Sequence, residues 1–180
     1  YDNANSTDTL PTKSLLTKKE YWLDGGVNPV VRYTYNQYGN ILTTTDALNH
    51  TTTISYDTTY NMFPMTTTNN LGHVVKNEYY GINNVALGTF NGSGVCSSDL
   101  CGTWGQVKST TDVNNQTATR SYDAWGRVVK SIGPLDTPQS PSSIATYEIF
   151  PTYLKITKQS RIERGKYAMI KSVQYIDGLG

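Results

Sequence analysis

Residues 110–123 read Thr-Thr-Asp-Val-Asn-Asn-Gln-Thr-Ala-Thr-Arg-Ser-Tyr-Asp, and the fold can be predicted from this segment and its copies. Within it, Asp112 is followed ten residues later by Tyr122. An earlier stretch keeps the same interval between Asp46 and Tyr56, and it also opens with two threonines before the aspartate. Two stretches with matched spacing and matched flanks indicate an internal repeat, and we take that repeat as the unit of the structure.

A glycine extends the repeat toward the N-terminus. Gly105 precedes the second aspartate by seven residues, and Gly39 precedes the first by the same number. A third copy lies between these two. It has Asn69 in the acidic slot and Tyr79 ten residues later, although Met62 stands in the glycine slot.

Each copy carries a turn signal three residues after its Asp or Asn. That slot holds Asn49, Gly72 and Asn115, which are the residue types that best tolerate a positive φ. The Asp or Asn that opens the slot can accept hydrogen bonds from backbone amides two residues on. The pattern therefore predicts strand, Asx turn and strand in every copy.

The composition favours strands over helices. Fourteen Tyr stand against three Phe and three Trp, and Thr and Asn are abundant. Residues 31–35 and 52–56 alternate with a period of two, whereas no stretch sustains the apolar spacing of an amphipathic helix. One hairpin cannot bury a face alone, so the units must stack on their neighbours. We predict an all-β fold in which antiparallel strand-turn-strand repeats form an extended, curved sheet with almost no helix.

The repeated tyrosines occupy equivalent places on the predicted strands. They are Tyr35, Tyr56, Tyr79 and Tyr122. We expect their rings to pack as cross-strand neighbours, with the hydroxyl groups reaching water.

The chain is expected to be one β segment, 1–180, excised from a larger protein. The clear repeats run over 30–136, and an insertion rich in Gly, Asn and Ser occupies 81–104, where we expect a projecting loop. A proline-rich break, 137–143, interrupts strand pairing. Less regular strands, joined by a charged turn near Gly165, are expected over 144–180.

The charge balance excludes some partners. Fifteen basic against fourteen acidic side chains leave a formal net charge of +1. Such a chain has no electrostatic field for gathering nucleic acid or an anionic membrane. No apolar run approaches the roughly 20 residues that span a bilayer. We expect neither a nucleic-acid partner nor a membrane span.

Candidate catalytic residues have a simpler structural interpretation. His50 and His73 could act in acid-base chemistry, but both occupy the slot just after the turn, which holds Gln116 in another copy. Asp46 and Asp112 could ligate calcium, yet turn capping explains them more simply. Asp57 and Asp123 could likewise form carboxylate pairs with them or ligate calcium. No metalloprotease, nucleotide-binding or hydrolase motif occurs, so we expect no enzyme activity, no cofactor and no metal.

The repeat resembles a known family. Residues 122–128, Tyr-Asp-Ala-Trp-Gly-Arg-Val, with Gly126 in the glycine slot, resemble the YD repeat of the Rhs superfamily, as do residues 35–40 and 175–180. The Gly-Pro-Leu-Asp at 133–136 is most similar to the shell-forming B subunit of bacterial insecticidal toxin complexes. The resemblance implies a structural segment of a hollow β-shell that encloses a toxic C-terminal polypeptide. The implied partners are neighbouring repeats and that polypeptide, in a secreted or cell-surface bacterial protein.

Two cysteines, Cys96 and Cys101, lie in the insertion. A zinc site would need further ligands, and no second cysteine pair exists. Because the resemblance implies an exported protein, we expect a local disulfide, with two free thiols as the alternative.

A binding module is the main alternative function. Exposed aromatic side chains beside Asn and Asp can stack on sugar rings and hydrogen-bond their hydroxyls. Tyr80, Trp104 and Trp125 are the candidate ligand-facing aromatics, and a cell-surface glycan or receptor would be the partner. A binding site would gather them in one concave patch, whereas a structural ladder would spread them along the strands.

Overall fold

The computed structural model describes residues 13–163, 166 and 168–178. These residues form antiparallel β-strands joined by turns and loops, and they contain no helix. The strands are β1 Lys18–Glu20, β2 Val30–Tyr35, β3 Ile41–Thr45, β4 Thr51–Tyr56, β5 Pro64–Thr68, β6 Val74–Tyr79, β7 Val107–Thr111, β8 Thr117–Tyr122, β9 Val128–Ile132, β10 Ser143–Ile149, β11 Tyr153–Arg161 and β12 Met169–Asp177.

The strand order in the sheet is the order in the sequence, from β1 to β12. The predicted all-β antiparallel fold is therefore confirmed. The chain divides into two compact units after Lys76. The predicted charged turn near Gly165 and the last two residues of the terminal motif, Leu179 and Gly180, lie outside the described residues.

The first unit is built from polar hairpins. Its strands β3, β4 and β5 carry threonine at most positions, and Thr43 pairs with Thr53 while Thr53 pairs with Thr68. At the β3–β4 hairpin the hydroxyls of Thr45 and Thr51 are hydrogen-bonded at 2.9 Å. Threonine suits this setting because its branched side chain fits a half-buried pleated surface while its hydroxyl finds a cross-strand partner.

Residues near both ends of the insertion pack in the core of the second unit, where a projecting loop was expected. Tyr80 is 2% exposed, and both Ile82 and Cys101 are fully buried. The hydroxyl of Tyr80 reaches the carbonyl of Arg120 on β8 at 3.0 Å. Glycine at position 102 permits this close packing, because a Cβ there would clash with the Tyr80 ring.

The proline-rich break is held by a buried ion pair. Between β9 and β10 the carboxylate of Asp136 accepts a 2.9 Å hydrogen bond from Arg161 of β11, and both side chains are less than a tenth exposed. The same guanidinium donates to the carbonyls of Ser140 and Pro141. Arg161 therefore supplies a donor to the Pro141 carbonyl and a second donor to the Ser140 carbonyl, which also accepts the Thr137 N–H.

Candidate functional site

The repeat turns share one hydrogen-bond pattern. At the β7–β8 hairpin, Asp112 Oδ1 accepts the backbone N–H groups of Asn114 and Gln116 at 2.8 and 2.9 Å. Asn115 donates its N–H to the Asp112 carbonyl and has φ 57°. Asn49 and Gly72 have φ 64° and 77°, so the positive φ predicted for this slot is confirmed in all three copies.

The same turn also recurs where the sequence analysis did not predict it. Within the described residues the turn begins at the three predicted positions, Asp46, Asn69 and Asp112. It also begins at three further positions, Asn36, Asn91 and Asp123. The overlooked copies could have been found from an Asp or Asn three residues before a glycine, as in Asn91 and Gly94. In the copies with glycine, Gly39 and Gly126 have φ 87° and 82°.

Asp57 caps a longer version of this turn, and its role was also missed. Its carboxylate is almost fully buried, at 1% exposure, and accepts four backbone N–H groups between Thr59 and Phe63. Asn61 takes the positive φ here, one residue before Met62 in the predicted glycine slot. Burial opposes the charged form, but the backbone donors outweigh it, so the pKa of Asp57 is held below its ordinary value.

A tyrosine ends the strand before three of these capped turns, and its hydroxyl does not reach water as predicted. Tyr35 donates to the carbonyl of Leu16, Tyr56 to that of Ile41 and Tyr122 to that of Val107, at 2.7–2.9 Å. A β-bulge occurs immediately before each of these tyrosines. The bulge bends the strand end, and the tyrosine then fixes it against the backbone of a preceding segment.

The insertion is attached to β8 through its cysteines. Cys96 and Cys101 are joined by a disulfide. Cys101 also accepts the backbone N–H of Tyr122 at 2.7 Å and donates its own to the Ser121 hydroxyl at 2.9 Å. Tyr80, which directly precedes the insertion, is also buried, and this burial raises the pKa of its hydroxyl to about 12. The insertion is therefore a fixed layer against one side of β8.

The candidate ligand-facing aromatics do not converge. Tyr80 is buried and packs edge to face on Tyr122, so it cannot face a ligand. Trp104 lies against Gly81, where a Cβ would approach its ring to 2.6 Å. Trp125 lies against Gly94 and remains 62% exposed. Of the three, Trp125 lines a cavity whose walls include neither Tyr80 nor Trp104.

That cavity lies within the second unit and has a volume of about 470 Å³. Its lining comes from the insertion tip at 93–99, from the turn at Trp125 and Arg127, and from β9 and β10. Val95, Ile144 and Tyr147 give it largely apolar walls. A cavity of this size falls within the range of ligand pockets, about 300–1,000 Å³.

Arg127 is fixed at the cavity rim. Its Nε donates to Asp123 Oδ2 at 2.6 Å, and its guanidinium carbon lies 4.2 Å from the centre of the Tyr147 ring and 5.0 Å from that of Trp125. Its two terminal nitrogens have no hydrogen-bond partner among the residues that the structure describes. Cation–π contacts with two rings and one ion pair thus orient a guanidinium that still has free donors.

The histidines lie at turns on the surface. His50 Nδ1 is 3.1 Å from Asp46 Oδ2, the carboxylate that also caps that turn, and His73 lies in the equivalent position beside Asn69. Among the described residues, no three His, Cys, Asp or Glu side chains form a group that could hold a metal ion. In the same part of the chain, no helix has the length and apolar character needed to cross a membrane.

Comparison with known proteins points to one family. Residues 103–137 match the family model of the RHS repeat, so this part of the chain carries such a repeat. The match covers β7, β8 and β9, together with the turns at Asp112 and Asp123. A search of the curated proteins finds no significant match to the chain.

Proposed function

We propose that the chain is a structural segment of a β-sheet wall that encloses or presents another polypeptide. One observation carries this proposal: the sheet is built from consecutive hairpins whose capped turns are nearly interchangeable. Such a hairpin can be added many times without changing the hairpins beside it. Repeat proteins are built in this way, because each repeat contacts only its neighbours. The proposal assigns no catalytic activity to the chain.

The RHS repeat at 103–137 supports a structural repeat segment, and the shared turn geometry extends the same construction to β2–β6. We propose that the parent protein winds such hairpins into a shell around a C-terminal polypeptide, such as a toxin. Its similarity to the B subunit of insecticidal toxin complexes belongs to this proposal.

An exported or cell-surface location is part of the proposal. Disulfides form and persist mainly in oxidising compartments, and the Cys96–Cys101 disulfide is consistent with that setting. In the purified bacterial protein, mass spectrometry after alkylation without reductant should find both cysteines unmodified. Quantitative alkylation of both thiols would contradict the proposed location.

Limited proteolysis of the protein from the complete reading frame tests the enclosure. We expect a polypeptide downstream of the repeats to resist protease in the intact protein and to be degraded when it is expressed alone. A matched variant, Gly72→Val, should increase its cleavage, whereas Gly72→Asn should not, because asparagine already occupies this turn slot in two copies. Equal degradation with and without the repeats would contradict the proposal.

A further inference from the structure

The ladder between β9 and β10 ends early, beside the cavity. It pairs only Ser143 with Ser131 and Ile144 with Lys130, whereas β10 continues to pair with β11 as far as Ile149. In the described chain, the later β10 residues therefore have no backbone ladder partner in β9, although the Tyr147 side chain donates its hydroxyl to the Val128 carbonyl at 3.2 Å. Part of the edge of β10 is open, and this part borders the cavity.

The direction of the open backbone groups follows from the neighbouring turn. Phe150 donates its N–H to the Tyr153 carbonyl, which makes these two residues a hydrogen-bonded pair at the end of the β10–β11 ladder. Bonded and non-bonded pairs alternate in an antiparallel ladder. The backbone N–H and C=O groups of Tyr147 and Ile149 therefore point away from β11, toward the side on which β9 has ended.

Charge adds a second requirement for a ligand. Arg127 and Lys130 provide two cations at the cavity, and Asp99 and Asp123 provide two carboxylates. Both carboxylates already have partners, since Asp99 accepts from Gln139 and Asp123 accepts from Arg127 Nε and from backbone amides. The unused polar capacity of Arg127 is its terminal N–H groups, whose planar fork matches a carboxylate.

We infer that the cavity binds an extended peptide segment that carries a carboxylate side chain two residues from a large apolar side chain. The open edge of β10 supplies backbone hydrogen bonds, as in recognition by strand addition. The apolar side chain packs against the apolar walls, and Arg127 donates hydrogen bonds to the carboxylate. The spacing of two follows because alternate residues of an extended chain share a face.

This inference is independent of the proposed wall function. If the cavity binds no peptide, the repeats can still form a wall. If the wall encloses nothing, the cavity can still bind a peptide.

Fluorescence anisotropy with labelled pentapeptides tests the inference on the purified chain. The probes are Thr-Phe-Thr-Glu-Thr and Thr-Glu-Thr-Phe-Thr, blocked at both ends, with partners in which glutamine replaces glutamate. We expect at least one glutamate peptide to bind, and its glutamine partner to bind about tenfold or more weakly. The peptide pair needs no protein variant, so a folding defect cannot explain its outcome.

Protein variants then locate the site. Arg127→Gln should weaken the glutamate peptide by a similar factor while leaving the glutamine peptide little changed. Arg32→Gln, at an exposed arginine of β2 outside the cavity lining, is the matched control and should bind as the unaltered chain does. Circular dichroism of both variants checks that the sheet is intact.

Three outcomes would overturn the inference. The first is no binding of either peptide at millimolar concentration, and the second is equal binding of glutamate and glutamine peptides. The third is displacement of a bound peptide by methyl glycosides or glucuronic acid at lower concentrations than by the free peptide, which would make the cavity a sugar site around Trp125.

Discussion

The hydroxyl of Tyr122, the last residue of β8, donates a 2.8 Å hydrogen bond to the carbonyl of Val107, the first residue of β7. Tyr56 makes the same bond to Ile41 at 2.9 Å, again from the last residue of one strand to the first residue of the strand before it. The bond closes the hairpin at the end opposite its turn. Each of these hairpins is thus held by hydrogen bonds at both ends. An aspartate carboxylate caps the turn, and a tyrosine hydroxyl bonds to the backbone at the opposite end.

Removing one phenol hydroxyl should weaken the hairpin without disturbing its packing. We expect Tyr122→Phe to lower the free energy of unfolding by about 1 kcal/mol, because the Val107 carbonyl loses its donor. Tyr175→Phe is the control, since Tyr175 is 64% exposed in the same unit. Urea unfolding monitored by circular dichroism measures both variants, and an equal effect on the two would remove the special role of Tyr122.

Substitutions at Gly72 test the effect of backbone strain alone, without an effect on packing. Gly72 has φ 77°, and a Cβ there would meet nothing within 4 Å, so any cost of substitution comes from the backbone conformation. Gly72→Val should cost about 1–3 kcal/mol, whereas Gly72→Asn should cost much less. Gly92→Val is a control in open space. Urea midpoints that do not distinguish valine from asparagine at position 72 would refute the turn assignment.

The buried carboxylate of Asp57 should make stability depend on pH. Because its pKa is lowered in the folded chain, it contributes stability that is fully present above the ordinary aspartate pKa, about 3.9. That contribution is lost as the pH falls through the lower, folded-state pKa. Asp57→Asn should therefore cost about 1–3 kcal/mol at pH 7, and the cost should shrink toward pH 3.

Urea unfolding at pH 7, 5 and 3 measures that difference. Asp24→Asn, at an exposed aspartate of the same unit, should show no comparable trend. A cost for Asp57→Asn that is constant across the pH range would show that the charge of this carboxylate does not stabilise the turn.

The ion pair between Asp136 and Arg161 should be sensitive to loss of one partner. Arg161→Met leaves the carboxylate of Asp136 buried without its cation and removes the Arg161 donor from the Pro141 carbonyl, so we expect a loss of about 3–5 kcal/mol. Lys155→Met, which breaks a more exposed pair with Glu148, should cost less than about 1 kcal/mol. Thermal unfolding of the two variants at equal concentration compares them, and similar losses would contradict a structural role for the buried pair.

The repeat turns could be predicted from sequence because their hydrogen bonds are local. Asp112 and Asn115 lie three residues apart, so spacing and residue type together determine the geometry. The insertion could not be predicted in the same way. Tyr80, just before the insertion, is buried against β8, where its hydroxyl donates to the carbonyl of Arg120, 40 residues away in the sequence, and its ring packs on Tyr122. Composition rich in glycine carries no signal that distinguishes a solvated loop from a closely packed one.

The hydrogen-bond partners of the tyrosine hydroxyls could not be predicted from the sequence either. The spacing placed Tyr35, Tyr56 and Tyr122 on equivalent strands, but not the direction in which each side chain leans. That direction depends on the bulge before each tyrosine, which is a property of the paired strands. The cavity and the open edge of β10 likewise depend on where a ladder stops, and no residue in β10 marks that point.

The agreement between strand order and sequence order bears on how the chain acquires its structure. Each strand pairs with one that has just been synthesised, so the sheet can grow progressively from its N-terminal side with short loop closures. The exception is β7, which follows β6 only after the 24 residues of the insertion at 81–104. A ribosome adding about 5–20 residues per second would hold the edge of β6 unpaired for roughly one to five seconds there. Growth of the sheet would thus pause once, while the insertion that contributes Ile82 and Cys101 to the core of the second unit is being synthesised.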